Sequence, residues 1–138
     1  MNSSFELLKA LKDAGFDATK RDAYWWPKSG TFETVVGAIL TQQTKWERVE
    51  MALMELDKHK LLELETLAKA DPQTVSLLIK VCGFYTQKSN RIINISRAIL
   101  NDFNSFDTFC EEVSRDWLLS QKGVGPESAD AILCYACK

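Results

Sequence analysis

Apolar residues in this sequence recur with the 3.6-residue period of an α-helix, and this spacing constrains the fold more than any other feature. One stripe occupies positions i, i+3, i+4, i+7 and i+8, at Phe32, Val35, Val36, Ile39 and Leu40. Comparable stripes fall at Trp46, Val49, Leu53 and Leu56, and at Ile92, Ile95 and Ile99. No segment shows the alternation of apolar and polar residues that is typical of a half-buried strand. The pattern predicts an all-α protein, a compact bundle of short helices joined by short turns.

Capping residues and prolines indicate where individual helices begin and end. Thr44 and Glu47 have the spacing of a capping box, in which a hydroxyl and a carboxyl group bond the first free amides of a helix. Asp71 followed by Pro72 predicts an N-cap and a proline in the first helical turn, and Gly83 predicts the end of that segment.

We divide the chain at residue 30. The spacing of Ser3 and Glu6 predicts a capped N-terminal helix, which is followed by a polar connector with the aromatic run Tyr24-Trp25-Trp26-Pro27. Residues 31–138 are predicted to form one helical domain, in which two helices joined by a glycine turn occupy residues 115–137. A length of 138 residues is sufficient for one domain with a small core.

Composition and charge narrow the class of protein. The apolar content of 46% and the charged content of 26% are typical of a folded globular domain. No apolar run is long enough to span a membrane and the N-terminus lacks the pattern of a signal peptide, so we expect a cytoplasmic protein without a membrane partner. The net charge of −2 predicts modest non-specific affinity for nucleic acid. It leaves room for a local basic face among the cations of the second half, which include Lys80, Lys88, Arg91, Arg97 and Lys122.

The four cysteines, at positions 82, 110, 134 and 137, do not form the pattern of a secreted disulfide framework. Cys134 and Cys137 have the spacing of a metal site, but no second pair of cysteines or histidines exists to complete it, and His59 is the only histidine. We therefore expect small packed thiols, no bound metal and no cofactor.

The stretch from Leu118 to Leu133 has the pattern of two short helices joined by a tight turn at Gly123-Val124-Gly125. Pro126 suits the first position of the second helix, where its missing N–H costs nothing. Two glycines let a partner approach the backbone closely, and free amides of the turn are suited to bind an anion. A phosphodiester is the obvious anion, with Lys122 and Ser128 beside the turn. The simpler alternative is a helix end at which the second glycine only eases the turn.

Together with two other stretches in the same order, this hairpin resembles that of the helix-hairpin-helix DNA glycosylases, the superfamily of endonuclease III and the mispair adenine glycosylase. The other stretches are Ile39-Leu40-Thr41-Gln42-Gln43-Thr44 and Gly83-Phe84-Tyr85-Thr86-Gln87-Lys88. The resemblance covers about residues 25–138. With Tyr24-Trp25-Trp26-Pro27 upstream and Cys134-Tyr135-Ala136-Cys137 downstream, it is greatest to the small 3-methyladenine DNA glycosylases of the endonuclease III type.

The resemblance implies roles for several residues. In this superfamily the hairpin binds a DNA phosphate through backbone amides, and the target nucleotide is flipped out of the duplex into a pocket of aromatic and polar groups. Gln42 or Gln43 would lie near the gap left by the flipped base, unless both only bond the backbone of a helix-linking turn. Trp25, Trp26 and Trp46 are candidates for stacking on a cationic alkylated purine, and the alternative for any one of them is a place in the core.

Departures from the family pattern imply what this chain does not do. Glu127 occupies the position at which strand-cleaving members carry a Schiff-base lysine, so no lyase activity is expected. Ala38 replaces the glutamate of the adenine glycosylase, and no iron–sulfur motif follows the hairpin. The essential aspartate of the family would lie beyond Lys138, since Asp130 falls within the second hairpin helix. The chain therefore resembles a fragment, or a natural truncation, that lacks the C-terminal part of the fold and the catalytic aspartate, and we expect it not to release a base.

The sequence thus predicts a base excision repair protein that recognises damaged, 3-methyladenine-like purines in double-stranded DNA by base flipping. Its complete form would be a monofunctional, hydrolytic DNA glycosylase. The alternatives are a non-catalytic helix-hairpin-helix DNA-binding module and a helical interaction protein whose turn holds no phosphate. An incomplete fold with exposed apolar surface also predicts self-association, and Trp117 is assigned to packing.

Overall fold

The computed structural model describes residues 31–137, which form eight α-helices, a 3₁₀ turn and a final π-helical segment. We number the helices in chain order: α1 Phe32–Leu40, α2 Trp46–Lys58, α3 Leu64–Ala68, α4 Pro72–Leu78, α5 Tyr85–Phe103, α6 Phe106–Glu112, α7 Arg115–Ser120 and α8 Pro126–Ala131. The 3₁₀ turn is Lys80–Cys82, between α4 and α5, and the π-helical segment is Ile132–Ala136. No strand occurs within the described residues, which confirms the all-α prediction. The predicted N-terminal helix and aromatic connector lie outside them.

The longest helix, α5, and the most buried helix, α1, form the centre of the fold. Helices α1, α3, α4 and α6 all contact α5, whose buried face carries the predicted stripe of Ile92, Ile95 and Ile99. In α1 every residue from Thr34 to Leu40 is buried. A helix that is buried on all sides belongs inside a bundle rather than on its surface. Helix α8 and the π-helical segment pack on α1, so the C-terminal hairpin is attached directly to the core.

The helix boundaries agree only in part with the local sequence signals. Asp71 caps α4 as predicted, because its carboxylate accepts a hydrogen bond from the amide two residues further on, at 3.3 Å. The predicted capping box at Thr44 is wrong. Helix α2 begins at Trp46, and the Thr44 hydroxyl donates instead to the carbonyl oxygen of Cys82. The Thr44 side chain therefore bonds a carbonyl group 38 positions away in sequence and does not cap the first amides of α2.

Lys88 lies in the core and not on a basic face. Its side chain is 1% exposed, and its ammonium donates to the carbonyl oxygens of Leu40 (3.0 Å) and Cys82 (3.1 Å) and to the Thr44 hydroxyl (2.6 Å). Leu40 ends α1 and Cys82 ends the 3₁₀ turn, where carbonyl groups lack partners within the helix. Burial lowers the pKa of Lys88 and raises the pKa of the adjacent Cys82 thiol to about 11. Lys88 therefore joins two helix ends.

The prediction of four free thiols is wrong for two of the cysteines. Cys110 in α6 and Cys137, which directly follows the π-helical segment, form a disulfide with their Cα atoms 4.9 Å apart. These residues are 27 positions apart in sequence, and only the packing of the hairpin against α6 brings them together. Cys82 and Cys134 take no part in this disulfide, as predicted.

Trp117, in α7, packs as predicted. Its ring makes edge contacts with Phe103 and Phe109, at centroid distances of 5.0 and 5.7 Å. The indole N–H donates to the carboxylate of Asp102 at 2.7 Å, which satisfies its one polar atom. This cluster joins α5, α6 and the first helix of the hairpin.

Three observations concern the surface of residues 31–137. No helix there is both long and apolar enough to cross a membrane. No group of three or more His, Cys, Asp or Glu side chains in this part could hold a metal ion. The large apolar side chains exposed on it are Met51, Met54, Leu77, Val81 and Phe84.

Candidate nucleic-acid interface

The glycine turn between α7 and α8 has a defined geometry. The amide of Val124 donates to the carbonyl oxygen of Gln121 at 3.1 Å, and Gly123, the third residue of this turn, has φ +85°. A positive φ at that position is typical of a type II turn and favours glycine. The Val124 side chain is buried and holds the turn against the core. The prediction that the Val124 amide is free for an anion is therefore wrong, because the turn itself uses it.

The two glycines of the turn differ in backbone conformation and in the space around them. At Gly123 the positive φ favours glycine, and a Cβ there would lie 2.3 Å from Cδ of Arg91, so that the Arg91 side chain would have to move. Gly125 has φ −91° and ψ −179°, an extended conformation open to any residue, and a Cβ there would meet no atom of residues 31–137 within 4 Å apart from its chain neighbours. Neither the backbone nor the packing of the described residues requires Gly125. The space beside it is open to a partner.

Several backbone amides around Gly125 are available. No acceptor among the described residues bonds the amides of Gly123, Gly125 or Glu127. The side chains of Lys122 and Glu127 beside them are exposed. The Ser128 hydroxyl, by contrast, is buried and faces Ala38, whose carbonyl oxygen lies 3.5 Å away. The predicted phosphate site thus retains the amides of Gly123 and Gly125 and the Lys122 side chain, while the Ser128 side chain is directed into the protein.

Gln42, in the turn between α1 and α2, is bonded to this hairpin. Its amide nitrogen donates to the carbonyl oxygen of Gly123 at 2.8 Å and to the Ser128 hydroxyl at 2.9 Å. Its amide oxygen accepts a hydrogen bond from Nη1 of Arg91, in α5, at 3.0 Å. Gln42 therefore bonds neighbouring groups, while Gln43 is exposed with φ +55°, and a role for either glutamine at a DNA gap stays a prediction.

The same glutamine turn also contacts the turn that precedes α5. Thr44 donates to the carbonyl oxygen of Cys82, and Lys88 bonds both of them. Gly83 and Phe84 follow with φ +70° and +46°, and the Phe84 ring is 59% exposed. A left-handed conformation is costly for a large aromatic residue and persists only where the surrounding structure enforces it. The three stretches that carry the family resemblance thus meet in space, with the glutamine turn in the middle.

Of the three tryptophans predicted to stack on a base, the structure describes only Trp46. Trp46 is 2% exposed, so its ring belongs to the core in this structure. Stacking of a base on Trp46 stays a prediction and requires an opening that the described residues do not show. Trp25 and Trp26 lie outside the described residues.

Two further groups on the hairpin have clear positions. Asp130 lies in α8, as predicted, and forms an ion pair with Arg115 of α7 at 2.9 Å, which ties the two hairpin helices together. Sequence reasoning gave Phe84 no role of its own, although it lies in one of the three family stretches, and it placed Arg91 only among the cations of a local basic face. A signal existed for Phe84, because it stands between a glycine and a helix start, but nothing in the sequence relates Arg91 to Gly123.

Two short helices joined by a glycine turn, within an all-α domain, define the class of this chain as a helix-hairpin-helix protein. More specifically, the chain belongs to the HhH-GPD superfamily of base excision DNA repair proteins, whose family model matches residues 36–133.

Individual relatives agree with this assignment. A Methanocaldococcus jannaschii protein, provisionally named a DNA repair glycosylase, is 38% identical over 81% of this chain and 53% of its own length. Endonuclease III of Thermotoga maritima is 33% identical over 78% of the chain and 48% of its own length. The crystal structure of H. pylori 3-methyladenine DNA glycosylase bound to 1,N6-ethenoadenine superposes with a TM-score of 0.82 at 44% identity, over 99% of this chain and 66% of that one. The chain thus spans about half the length of the M. jannaschii and T. maritima proteins.

Proposed function

We propose that this chain is the DNA-binding body of a monofunctional DNA glycosylase that removes alkylated purines in base excision repair. The observation that carries the proposal is the open space beside Gly125. No contact in the described part of the protein requires glycine at this position. A phosphate that binds the backbone amides would require it, because a Cβ would occupy the space through which the phosphate approaches. Double-stranded DNA with a damaged base is the partner that this geometry fits.

The glutamine turn and Phe84 supply groups that could enter the duplex. Gln43 is exposed and directly follows Gln42, which is bonded to the hairpin, so it stands next to the phosphate site. We assign Gln43 to the gap that a flipped base leaves. The exposed ring of Phe84 is suited to separate neighbouring base pairs, as apolar wedges do in other DNA-bending proteins.

An alkylated purine is the proposed target for two reasons. The H. pylori neighbour, with 44% identity, is named a 3-methyladenine glycosylase and was solved with an adenine adduct. Alkylation of a purine ring nitrogen creates a cation, which stacks on an aromatic face more favourably than a neutral base does. Trp25 and Trp26 remain the residues we propose for this stacking.

Hydrolysis without strand cleavage follows from Glu127. Its carboxylate is exposed in the first turn of α8, at the position where strand-cleaving members of the family carry lysine. A carboxylate cannot form a Schiff base with the sugar. We therefore propose that the complete protein releases the base and leaves the DNA strand intact.

The substitution Gly125→Asn tests the phosphate site. Asn is a good N-cap residue in the extended conformation that Gly125 adopts, so the melting temperature should stay within about 2 °C. Its side chain would occupy the open space, and the Kd for a duplex with an abasic-site analogue should rise about tenfold, or about 1.4 kcal/mol. Fluorescence anisotropy measures the Kd.

The matched control is Ser105→Asn, which places the same residue at the N-cap of α6, a helix start outside residues 115–137. It should leave DNA affinity unchanged. An unchanged Kd for Gly125→Asn would show that the hairpin turn does not hold a phosphate.

A further inference from the structure

We propose that Arg91 is a positioning residue: it holds the glutamine turn against the hairpin turn, so that the phosphate contact determines where Gln43 meets the DNA. This inference rests on the proposed function and adds a residue that neither the hairpin motif nor the glutamine run contains.

The position of Arg91 on α5 places its side chain between the two turns. Its aliphatic part lies against Gly123, since an ideal Cβ there would be 2.3 Å from Cδ and 2.4 Å from Nε of Arg91. At its other end, Nη1 donates to the amide oxygen of Gln42 at 3.0 Å. Arg91 thus contacts the hairpin by packing and the glutamine turn by a hydrogen bond.

The hydrogen bond from Arg91 also fixes the orientation of the Gln42 amide. Because the oxygen accepts from Arg91, the nitrogen faces the hairpin, where its two hydrogens reach the Gly123 carbonyl and the Ser128 hydroxyl. Ser128 in turn faces the Ala38 carbonyl. The amide of Gln42 is fully used inside the protein, which leaves Gln43 as the glutamine that can reach DNA.

The charge of Arg91 is not neutralised by a carboxylate within the part of the chain that the structure describes. The ion pairs found there are Lys58–Glu55 and Arg115–Asp130. Arg91 instead gives a charge-assisted hydrogen bond to a neutral amide, which is stronger than a bond between neutral groups. Loss of Arg91 would free the Gln42 amide to rotate and would loosen the contact between the two turns.

The variant Arg91→Leu tests the proposal with two duplexes, one undamaged and one with an abasic-site analogue beside 2-aminopurine. The hairpin amides remain in the variant, so the Kd for undamaged DNA should stay within about twofold, while the preference for the abasic duplex should fall about tenfold. At saturating protein the wild-type chain should raise the fluorescence of the unstacked 2-aminopurine, and Arg91→Leu should not.

Gln42→Leu removes the other half of the same contact. The double variant should therefore lose no more preference than either single variant, because the two residues act as one unit. Arg97→Leu is the matched control: Arg97 lies on the same helix and also gives a single side-chain hydrogen bond, to the Ala68 carbonyl, but away from the two turns. It should leave both Kd values and the fluorescence unchanged. If Arg91→Leu does not fold, Gln42→Leu removes the same hydrogen bond and the same measurements are made on it.

Two results would overturn the positioning role. An equal loss of affinity for both duplexes, with the salt dependence of log Kd reduced by about 0.9, would show that Arg91 contacts a phosphate directly. A full 2-aminopurine signal in Arg91→Leu would show that the two turns do not depend on Arg91. Failure of the proposed function is distinguishable, since the wild-type chain would then show no preference for the abasic duplex.

Discussion

At the scale of single residues, Lys88 shows how much of this fold depends on polar groups inside it. Its ammonium bonds the carbonyl oxygens that end two helical segments and a hydroxyl in the glutamine turn, in a position with 1% exposure. These bonds compensate for the burial of a charge that would otherwise be costly. They also hold the glutamine turn next to the turn that carries Phe84.

The substitution Lys88→Met should destabilise the protein by about 2–4 kcal/mol, because two carbonyl groups and a hydroxyl each lose a buried hydrogen bond while the volume is preserved. Urea unfolding measures the change. Lys58→Met is the control, since Lys58 is exposed and pairs only with Glu55, and it should change stability by about 0.5 kcal/mol or less. Equal stability of Lys88→Met and the wild-type chain would contradict this account of the core.

Single residues also show where sequence reasoning succeeded. The N-cap at Asp71 was predictable, because its donor lies two residues away. The burial of Lys88 and the inward hydroxyl of Ser128 were not, because their partners are 48 and 90 positions away in sequence. Periodicity and capping rules describe neighbours along the chain, and they carry no information about such distant acceptors.

At the scale of secondary-structure elements, the hairpin is held by contacts of three kinds. The ion pair between Arg115 and Asp130 joins its two helices, and the bonds of Gln42 attach its turn to the end of α1. The disulfide between Cys110 and Cys137 attaches the segment after α8 to α6. Helix existence was predictable from the apolar stripes, whereas this attachment depends on how the helices cross.

Reduction of the disulfide should lower the free energy of unfolding. A bridge between positions 27 apart restricts the unfolded chain, and loss of that restriction costs about 3–4 kcal/mol in the chain-entropy model. Urea unfolding with and without dithiothreitol measures the difference. The variant Cys110→Ser cannot form the bridge, so its free energy of unfolding should equal that of the reduced wild-type chain both with and without dithiothreitol. A wild-type chain that gives the same unfolding curve with and without reductant, and whose four cysteines are all reduced by mass, would contradict the bridge.

At the scale of the whole molecule, three turns that are far apart in sequence form one surface. The glutamine turn is bonded to the hairpin through Gln42 and to the turn before α5 through Thr44 and Lys88. The sequence predicted each motif and their order, and the resemblance implied that they act together. The bonds that join them, and the role of Arg91 between two of them, required the packed structure.

The most direct measurement of the central claim, that the hairpin turn holds a DNA phosphate, is an NMR titration of the labelled chain with a short duplex containing an abasic-site analogue. The backbone amide signals of Gly123, Gly125 and Glu127 should shift most, followed by that of Gln43. His59, at the far end of α2, should not shift. Saturation by DNA with the largest shifts elsewhere, and none at the turn amides, would contradict the claim.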